Sequence, residues 1–291
     1  MVASMSARRD ERVTDVPGLE RGIAILRLFG RDRTRLSAPE VASELGIPRS
    51  TVHRLLQSLE ALGLLRQEPH GVFALGPGVI SLGFEYLASL DLVEIANPVL
   101  ARLRDEIGCS THLAVLDRTN VVFVSRHPAR AAVSSSFGVG FTVPAHVALI
   151  GRLMLGDLDR KALAALYRGV KLLPAGPNAP ATLDALAARV ATDRARGYGI
   201  ADSNSASSLF PRGMVAISAP VRDARGRIAA AINATTVSGA FSAAEIRGRL
   251  KDRALAAAGE ISALLGAPPG SAAGGRLHRM RTGSSTIPRH G

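Results

Sequence analysis

The stretch Leu36–Gly63 reads LSAPEVASELGIPRSTVHRLLQSLEALG and decides the fold of the first part of this chain. Ser37 and Glu40 have the spacing of a capping box, in which the serine hydroxyl accepts from a first-turn amide and the glutamate reaches back to the serine amide. This spacing predicts a short helix that begins at Ser37 and stops at Gly46. Pro48 is tolerated in a first helical turn and predicts the start of a second helix.

The second predicted helix has one apolar and one polar face. We expect its apolar stripe to contain Val52, Leu55, Leu56, Leu59 and Leu62. The polar side chains are of types that read base edges in a major groove or hold phosphate, so we expect DNA contacts from this face and from the preceding turn. The predicted contact residues are Ser37, Pro48, Arg49, Ser50, Thr51, His53, Arg54 and Gln57. Two short helices around a tight turn indicate a helix-turn-helix motif.

The flanking sequence extends this motif in both directions. Before it, residues 17–30 place Leu19, Ile23, Leu26 and Phe29 at helical spacing. After it, residues 64–67 and 72–75 predict a short hairpin, the wing of a winged helix-turn-helix domain over residues 17–75. Each helix alone would pass as an ordinary amphipathic surface helix. The ordered set favours DNA binding.

Residues 76–90 predict a linker helix with a stripe at Ile80, Phe84, Leu87 and Leu90. That stripe is either core or a dimer contact. The linker leads into residues 91–266, where strand and helix patterns alternate.

The segment 91–266 predicts an α+β domain with an antiparallel sheet. The strand patterns fall at 111–117, 121–126, 132–137, 213–222 and 227–237. The helix patterns fall at 91–107, 146–155, 159–168, 182–196 and 242–265. The N-terminal arm 1–16 and the basic tail 267–291, rich in Gly, Pro, Ser and Arg, are predicted to be disordered.

The composition is that of a globular chain, with 47% hydrophobic and 21% charged residues among 291. The formal net charge of +12 suggests nucleic acid, but residues 17–80 hold only eight basic against six acidic side chains. Most of the charge lies in 91–266 and in the tail. The DNA-binding prediction therefore rests on helix patterning, and the net charge does not decide it.

Several other classes are disfavoured by the sequence. The longest uncharged run, 131–151, contains serines, glycines, Pro144 and His146, so we expect no membrane span. The first twenty residues have no apolar h-region, and the single cysteine, Cys109, cannot form an internal disulfide. Together these features predict a cytoplasmic protein.

We find no sequence motif of a known catalytic or metal site, and we expect no cofactor and no metal. The competing interpretation is a metabolite-binding module, or an enzyme with a catalytic C-terminal domain. Cys109 and His112 are a conceivable nucleophile and base, although Cys109 follows Gly108 at a helix end, where a gap-filling role is the simpler interpretation.

Several motifs in order, covering residues 17–266, resemble the IclR family of bacterial transcription regulators. They are GLERGIAILRLFG, LSAPEVASELGIPRSTVHRLLQSLEALGLL, GVFALGPGVISLG, THLAVLDRTNVVFVSRH, VGFTVPAHVALIGRLML, RGYGI and AISAPVRDARGRIAAAIN. The resemblance implies a winged helix-turn-helix, a linker helix and a GAF-like effector domain. It also implies homodimers or dimers of dimers that bind palindromic double-stranded DNA in response to a small organic acid. The segments 84–100 and 125–140 look most like the branch that controls aromatic-acid catabolism.

The resemblance also implies effector contacts in two places. Around the Pro-x-His motif they are Val143, His146, Leu149 and Ile150, and along the last hairpin they are Ala216, Asn233 and Thr235. Strand alternation puts Asn233 and Thr235 on one face, where their donors suit a carboxylate among apolar walls. The alternatives are that these two side chains face solvent and that His146 is a core or capping residue.

The chain departs from the family after Gly197-Tyr198, where it reads GIADSNSASSLFPRG and keeps Asp202 of the usual acidic cluster. The following acids are replaced by Ser203 and Asn204, and the segment is longer than usual. Asp202 is retained as a candidate effector contact, and this departure means that the resemblance does not identify the effector. Arg126 and Arg130 could pair with a carboxylate, although a solvated arginine is the default.

Overall fold

The computed structural model describes residues 16–30, 32–129, 138–172, 179–202 and 213–270. Within these, the chain forms two compact units that divide between Asp91 and Leu92. The predicted strand 132–137 lies outside the described residues, as do residues 1–15 of the arm and 271–291 of the tail. The predicted boundaries at 75 and 90 remain a prediction.

The first unit is a helical domain with a small sheet. Its helices are α1 (Pro17–Leu28), α2 (Ala38–Leu45), α3 (Arg49–Ala61) and α4 (Gly78–Ala88). Its strands are β1 (Leu36–Ser37), β2 (Leu65–Glu68) and β3 (Val72–Leu75), which lie in the antiparallel order β1-β3-β2. The wing hairpin is thus present, and β1, which the sequence did not reveal, ties it to the start of α2.

The start of α2 and the turn between α2 and α3 have the predicted capping interactions. The Glu40 carboxylate accepts bonds from the Ser37 amide at 2.7 Å and from the Ser37 hydroxyl at 2.6 Å. These bonds hold the pKa of Glu40 below its ordinary value. Gly46 ends α2 in the left-handed conformation, with φ 64°, which glycine adopts at little cost. Pro48 caps α3 immediately outside its first turn.

The core of this unit confirms some predicted faces and corrects others. Val52, Leu56 and Leu59 of α3 are buried, but Leu62 is 70% exposed because the helix ends at Ala61. In α1 the buried residues are Gly22 and Ile25, so the expected stripe through Leu19 and Ile23 is wrong. These two side chains are 65% and 41% exposed.

Close backbone contacts fix the point where α3 ends and α4 begins. Gly76 donates its amide to Leu64 O at 2.8 Å, and Gly78 donates to Gly63 O at 3.0 Å. A Cβ on Gly76 or Gly78 would lie 2.3 or 2.7 Å from the Gly63 carbonyl oxygen. Both positions therefore require glycine, which explains the Gly-Pro-Gly sequence at residues 76–78.

The second unit is a six-stranded antiparallel sheet with helices. Its strands are β4 (Ser110–Asp117), β5 (Asn120–His127), β6 (Thr142–Pro144), β7 (Gly199–Asp202), β8 (Met214–Arg222) and β9 (Ile228–Val237). Their order is β6-β5-β4-β9-β8-β7. Its helices are α5 (Asp91–Ile107), α6 (Leu149–Met154), α7 (Arg160–Leu166), α8 (Leu183–Arg196), α9 (Ala243–Glu245) and α10 (Lys251–Leu264).

Helices cover both faces of this sheet. On one face Ala114, Phe123 and Ala231 share a core with residues of α6, α7 and α8. On the opposite face the Thr111 hydroxyl donates to Leu100 O of α5 at 2.9 Å. The antiparallel α+β domain is confirmed, while β6 and β7 were not predicted.

The predicted last helix is interrupted. A π-helical turn at Ile246–Leu250 separates α9 from α10, and Gly248 there has φ −100° and ψ −107°. Because Gly248 has no side chain, it can leave the helical region that most residues would keep. In the part of the chain that the structure describes, no helix has the length and apolar character needed to cross a membrane.

Candidate functional site

The polar face of α3 is open to solvent, as predicted. Arg49, Ser50, His53, Arg54 and Gln57 are exposed, and Thr51 is half-buried. Val52, Leu56 and Leu59 fix the helix in the core from its other side. The exposed polar side chains of α3, which can donate and accept hydrogen bonds, are therefore accessible to the major groove of DNA.

Ser37 and Pro48 each stabilise the start of a helix. The Ser37 hydroxyl is engaged by Glu40, and Pro48 caps α3. Both lie at the start of a helix, where backbone amides also suit phosphate. Their assignment as DNA contacts remains a prediction.

The wing carries its own charged group. Glu68 accepts from Arg35 Nε at 2.5 Å and from Arg66 Nη2 at 3.1 Å, and both arginines remain largely exposed. These two contacts lower the pKa of Glu68. At the wing tip, exposed His70 has φ 66°. The two arginines could reorient toward phosphate, and no local sequence pattern singled them out.

In the second unit, one row of paired residues runs across five neighbouring strands. His112 pairs with Arg126 on one side and with Asn233 on the other, Asn233 pairs with Ser218, and Ser218 pairs with Gly199. Directly paired residues share a face of a sheet. We call these five residues, Arg126, His112, Asn233, Ser218 and Gly199, the polar row.

The polar row is buried on the face covered by α6. His112 is fully buried, Ser218 and Asn233 nearly so, and Arg126 is half-buried. The Ser218 hydroxyl donates to Asn233 Oδ1 at 3.0 Å. The His112 ring meets Phe123 edge-on, with ring centroids 5.7 Å apart. The next row, Phe123, Ala114 and Ala231, is apolar, so the polar row stands out within a hydrophobic layer.

Burial controls the charge of the row. It lowers the pKa of His112 to about 4, while a backbone hydrogen bond with Asn233 acts in the opposite direction and the Arg126 charge adds slightly to the lowering. The imidazole is therefore neutral at pH 7. In this row the positive charge comes from Arg126.

Thr235 and Ala216 lie beside the polar row, one pair along the same strands. They pair with each other, both are buried, and the Thr235 hydroxyl donates to Ser110 O at 3.5 Å. The alternative in which Asn233 and Thr235 face solvent is wrong, because their exposures are 4% and 2%.

Helix α6 lies over the end of the polar row. A Cβ on Gly199 would sit 2.5 Å from Leu149 Cδ1, so Leu149 occupies the space above Gly199. Ile150 is buried in the adjacent core. Leu149 thus lies over the sheet face that carries Ala216, Asn233 and Thr235, and the assignment of these four residues as effector contacts remains a prediction.

Three other predicted effector contacts are Val143, His146 and Asp202. Val143 pairs with Val121, five residues before Arg126 on β5, or about 16 Å along the strand. His146 packs edge-on against Tyr167 with centroids 6.0 Å apart, which is the core role that we weighed for it. Asp202 ends β7 opposite Val215. All three remain predictions.

Three further features bear on alternative functions. Burial raises the pKa of Cys109 to about 11, the opposite of an activated nucleophile, and its thiol contacts Ile107 O at 3.6 Å. Among the described residues, no group of three or more His, Cys, Asp or Glu side chains is arranged to hold a metal ion. A surface groove of about 440 Å³ lies between α7 and α8, lined by Leu158, Leu163, Val190, Arg194 and neighbours.

Comparison with protein families matches both units. Residues 18–69 match the IclR helix-turn-helix domain, and residues 84–263 match the family described as bacterial transcriptional regulator IclR C-terminal. The chain belongs to the IclR family. It is a transcriptional regulator with a DNA-binding helix-turn-helix and an effector domain.

Relatives of this IclR-family chain include the Escherichia coli regulator XynR, 27% identical over 87% of this chain and 98% of its own length. The p-hydroxybenzoate hydroxylase transcriptional activator of Acinetobacter baylyi is 32% identical over 75% of this chain and 80% of its own length. Among solved structures, a transcriptional regulator from Rhodococcus sp. RHA1 has a TM-score of 0.72 at 28% identity. The match covers 86% of this chain and 98% of the Rhodococcus chain.

The sequence alone did not place His112 and Ser218 beside Asn233. His112 entered only as a possible catalytic base, and Ser218 did not enter at all. The signal was present, since each is a polar residue at an alternating position of a strand pattern. What was lacking was the register that sets them beside Asn233.

Proposed function

We propose that this protein binds a palindromic operator as a homodimer or a dimer of dimers and represses or activates transcription in response to a small organic acid. This proposal includes a DNA-binding domain at 17–75, a linker helix at 76–90 and an effector domain at 91–266. It places the protein in the cytoplasm and assigns it no catalytic step. The observation that carries it is the exposed polar face of α3, held by the capped α2 and by the wing sheet.

The operator contact is tested with Arg49→Ala. If Arg49 reads a base edge, binding to DNA from upstream of the protein's own gene should weaken by about 1–3 kcal/mol. Footprinting and a gel-shift titration at fixed salt measure the change, since phosphate contacts make affinity salt-dependent. Arg168→Ala is the matched control, because Arg168 is exposed in the second unit. Unchanged footprinting by Arg49→Ala contradicts the assignment.

The dimer contact is proposed on α4. None of its side chains is buried, and Ile80, Leu82, Phe84 and Tyr86 are each about half exposed or more. Apolar surface of this extent marks an association surface. Phe84→Glu should shift the protein toward monomer in sedimentation velocity and weaken binding to a full palindrome, while Glu85→Gln serves as the control. A monomeric wild-type protein contradicts the dimer.

The effector site is proposed around Asn233, Thr235, Ala216 and Leu149. Thr235→Val keeps the shape of the side chain and removes its hydroxyl, so it should abolish the effector response and leave DNA binding intact. Loss of DNA binding instead would mean that Thr235 serves the fold. The named activator of p-hydroxybenzoate hydroxylase and the Pca regulon regulatory protein of Pseudomonas putida, 26% identical, support an aromatic acid as the first effector to try.

A further inference from the structure

We infer that Glu68 is a positioning residue for DNA binding, which holds the guanidinium groups of Arg35 and Arg66 together on the wing so that they bind DNA phosphate. We call these three residues the wing clamp. The inference rests on the proposed operator binding by α3. It adds a second contact region on the wing sheet, and it gives an acidic residue a favourable role in DNA affinity.

The Glu68 carboxylate is largely covered, whereas its two arginine partners are not. Glu68 Oε2 accepts from Arg35 Nε at 2.5 Å, and Glu68 Oε1 accepts from Arg66 Nη2 at 3.1 Å. The Glu68 side chain is 17% exposed, while those of Arg35 and Arg66 are 66% and 62% exposed. A polyanion that approaches from solvent therefore meets the two arginines more readily than the acid.

Each arginine of the wing clamp keeps donors for a second partner. A guanidinium carries N–H donors on three nitrogens. Glu68 accepts from one nitrogen of each arginine, which leaves the other nitrogens for phosphate oxygens. Two positive charges against one negative charge also leave the cluster cationic, so it attracts phosphate. Because a guanidinium that is already held loses less side-chain freedom on binding, the Glu68 contacts favour the DNA-bound arrangement.

The wing clamp lies on the same small sheet as the start of α2. Glu68 pairs with Val72, and Val72 pairs with Ser37, so the backbones at Glu68 and Ser37 are two strand spacings, or about 10 Å, apart. Ser37 is the residue immediately before α2. In a helix-turn-helix the first helix crosses the DNA backbone, so phosphates are expected near this part of the domain.

The wing strand β2 is fastened to α3 as well. Glu60 of α3 accepts from the Gln67 amide at 3.2 Å, one residue before Glu68. Strand β2 lies at the edge of the sheet, and this bond uses an amide on its outer edge. The contact fixes the wing clamp relative to α3, so both can engage one stretch of DNA.

The sign of the Glu68→Gln effect tests the inference. By charge alone, removing a negative group near DNA would strengthen binding. If Glu68 positions the two arginines, Glu68→Gln should instead weaken operator binding in gel-shift titrations at fixed salt, by about two- to fivefold, as for the loss of an exposed ion-pair contact. The control Glu44→Gln removes the same charge from the exposed Arg33–Glu44 pair and should not weaken binding. Unchanged or tighter binding by Glu68→Gln overturns the inference.

The salt dependence of binding shows whether phosphate contacts are lost. Each phosphate contact contributes about 0.9 to the slope of log affinity against log salt concentration. Arg35→Gln and Arg66→Gln should each reduce the size of that slope by about 0.9, on operator and on unrelated DNA alike. Arg168→Gln, in the second unit, should leave it unchanged. A wild-type slope in both wing variants, with thermal unfolding also unchanged, overturns the inference.

These outcomes are separable from the test of α3. If Arg49→Ala leaves the operator footprint unchanged while the wing variants reduce the salt slope, the assignment of α3 fails and the wing clamp stands. If Arg49→Ala weakens operator binding while the wing variants keep the wild-type slope, the assignment of α3 stands and the wing clamp fails.

Discussion

Arg152 on α6 and Asp193 on α8 form an ion pair with both side chains largely buried. Arg152 Nε lies 2.9 Å from Asp193 Oδ2, and the side chains are 13% and 9% exposed. A second donor of the same arginine reaches Val147 O at 3.1 Å. One side chain therefore joins α8, α6 and the loop that leads into α6.

Removing one partner of this pair should be costly. Asp193→Ala leaves a buried, uncompensated guanidinium and should destabilise the protein by about 3 kcal/mol, measured by urea unfolding. The exposed pair Arg160–Asp184 is the control, with side chains 76% and 73% exposed. Asp184→Ala should change stability by less than about 1 kcal/mol. Equal effects at the two sites would show that the buried pair is not special.

Two helical glycines should respond oppositely to alanine. A Cβ on Gly151 of α6 would lie 2.4 Å from the backbone oxygen of Ala145, so Gly151→Ala must displace backbone and should destabilise strongly. Gly83 of α4 has no heavy atom within 4 Å of its built Cβ, and Gly83→Ala should stabilise by about 0.5–1 kcal/mol through helix propensity. Thermal unfolding of both variants, followed by circular dichroism, measures the two signs.

His112 should make the protein less stable in mild acid. Its pKa falls from about 6.5 to about 4 on folding, so between these values the unfolded chain binds a proton that the folded chain does not. Stability should therefore decline as pH falls from 6.5 to 4, by about 3 kcal/mol from this group. His127, whose pKa is lowered as well, acts in the same direction.

Replacing His112 isolates its contribution to the pH dependence of stability. Between pH 7 and 4 the unfolding free energy of wild type should decline more steeply than that of His112→Gln, since the variant lacks the extra proton uptake. Parallel curves would mean that His112 titrates normally in the folded protein. His127→Gln provides the companion measurement for the second histidine.

Cys109 should be unreactive in the folded protein. It is 1% exposed, and burial raises its thiol pKa to about 11, so little thiolate exists at pH 8. Labelling by a thiol reagent such as Ellman's reagent should proceed only in urea, at a rate that follows unfolding. Rapid labelling of the native protein would reopen the interpretation of Cys109 as a nucleophile.

The elements that local chemistry specifies were predictable from the sequence. Patterns only a few residues long predict three of these features: the Ser37–Glu40 capping box, the left-handed position at Gly46, and the strands β8 and β9. The two-residue strand β1 and the short strands β6 and β7 did not, because they exist only through pairing with distant partners.

Which face of an element is buried was less predictable than its existence. The α1 stripe through Leu19 and Ile23 has correct helical spacing, yet tertiary packing buries Gly22 and Ile25. Likewise, the resemblance singled out Asn233 and Thr235 as candidate effector contacts. Placing His112 and Ser218 beside Asn233 required the register of three strands. A side chain's neighbours across a sheet are set by strand order, which no local pattern encodes.

The two glycines at the start of α4 have a mechanical consequence. The Gly76 and Gly78 amides donate to Leu64 O and Gly63 O, so α4 begins hydrogen-bonded to the residues that end α3. These bonds tie the start of α4 directly to the residues that follow α3, so we expect a change in the direction of α4 to reach α3. A bulkier residue at either glycine would break that joint while leaving every presumed DNA contact in place.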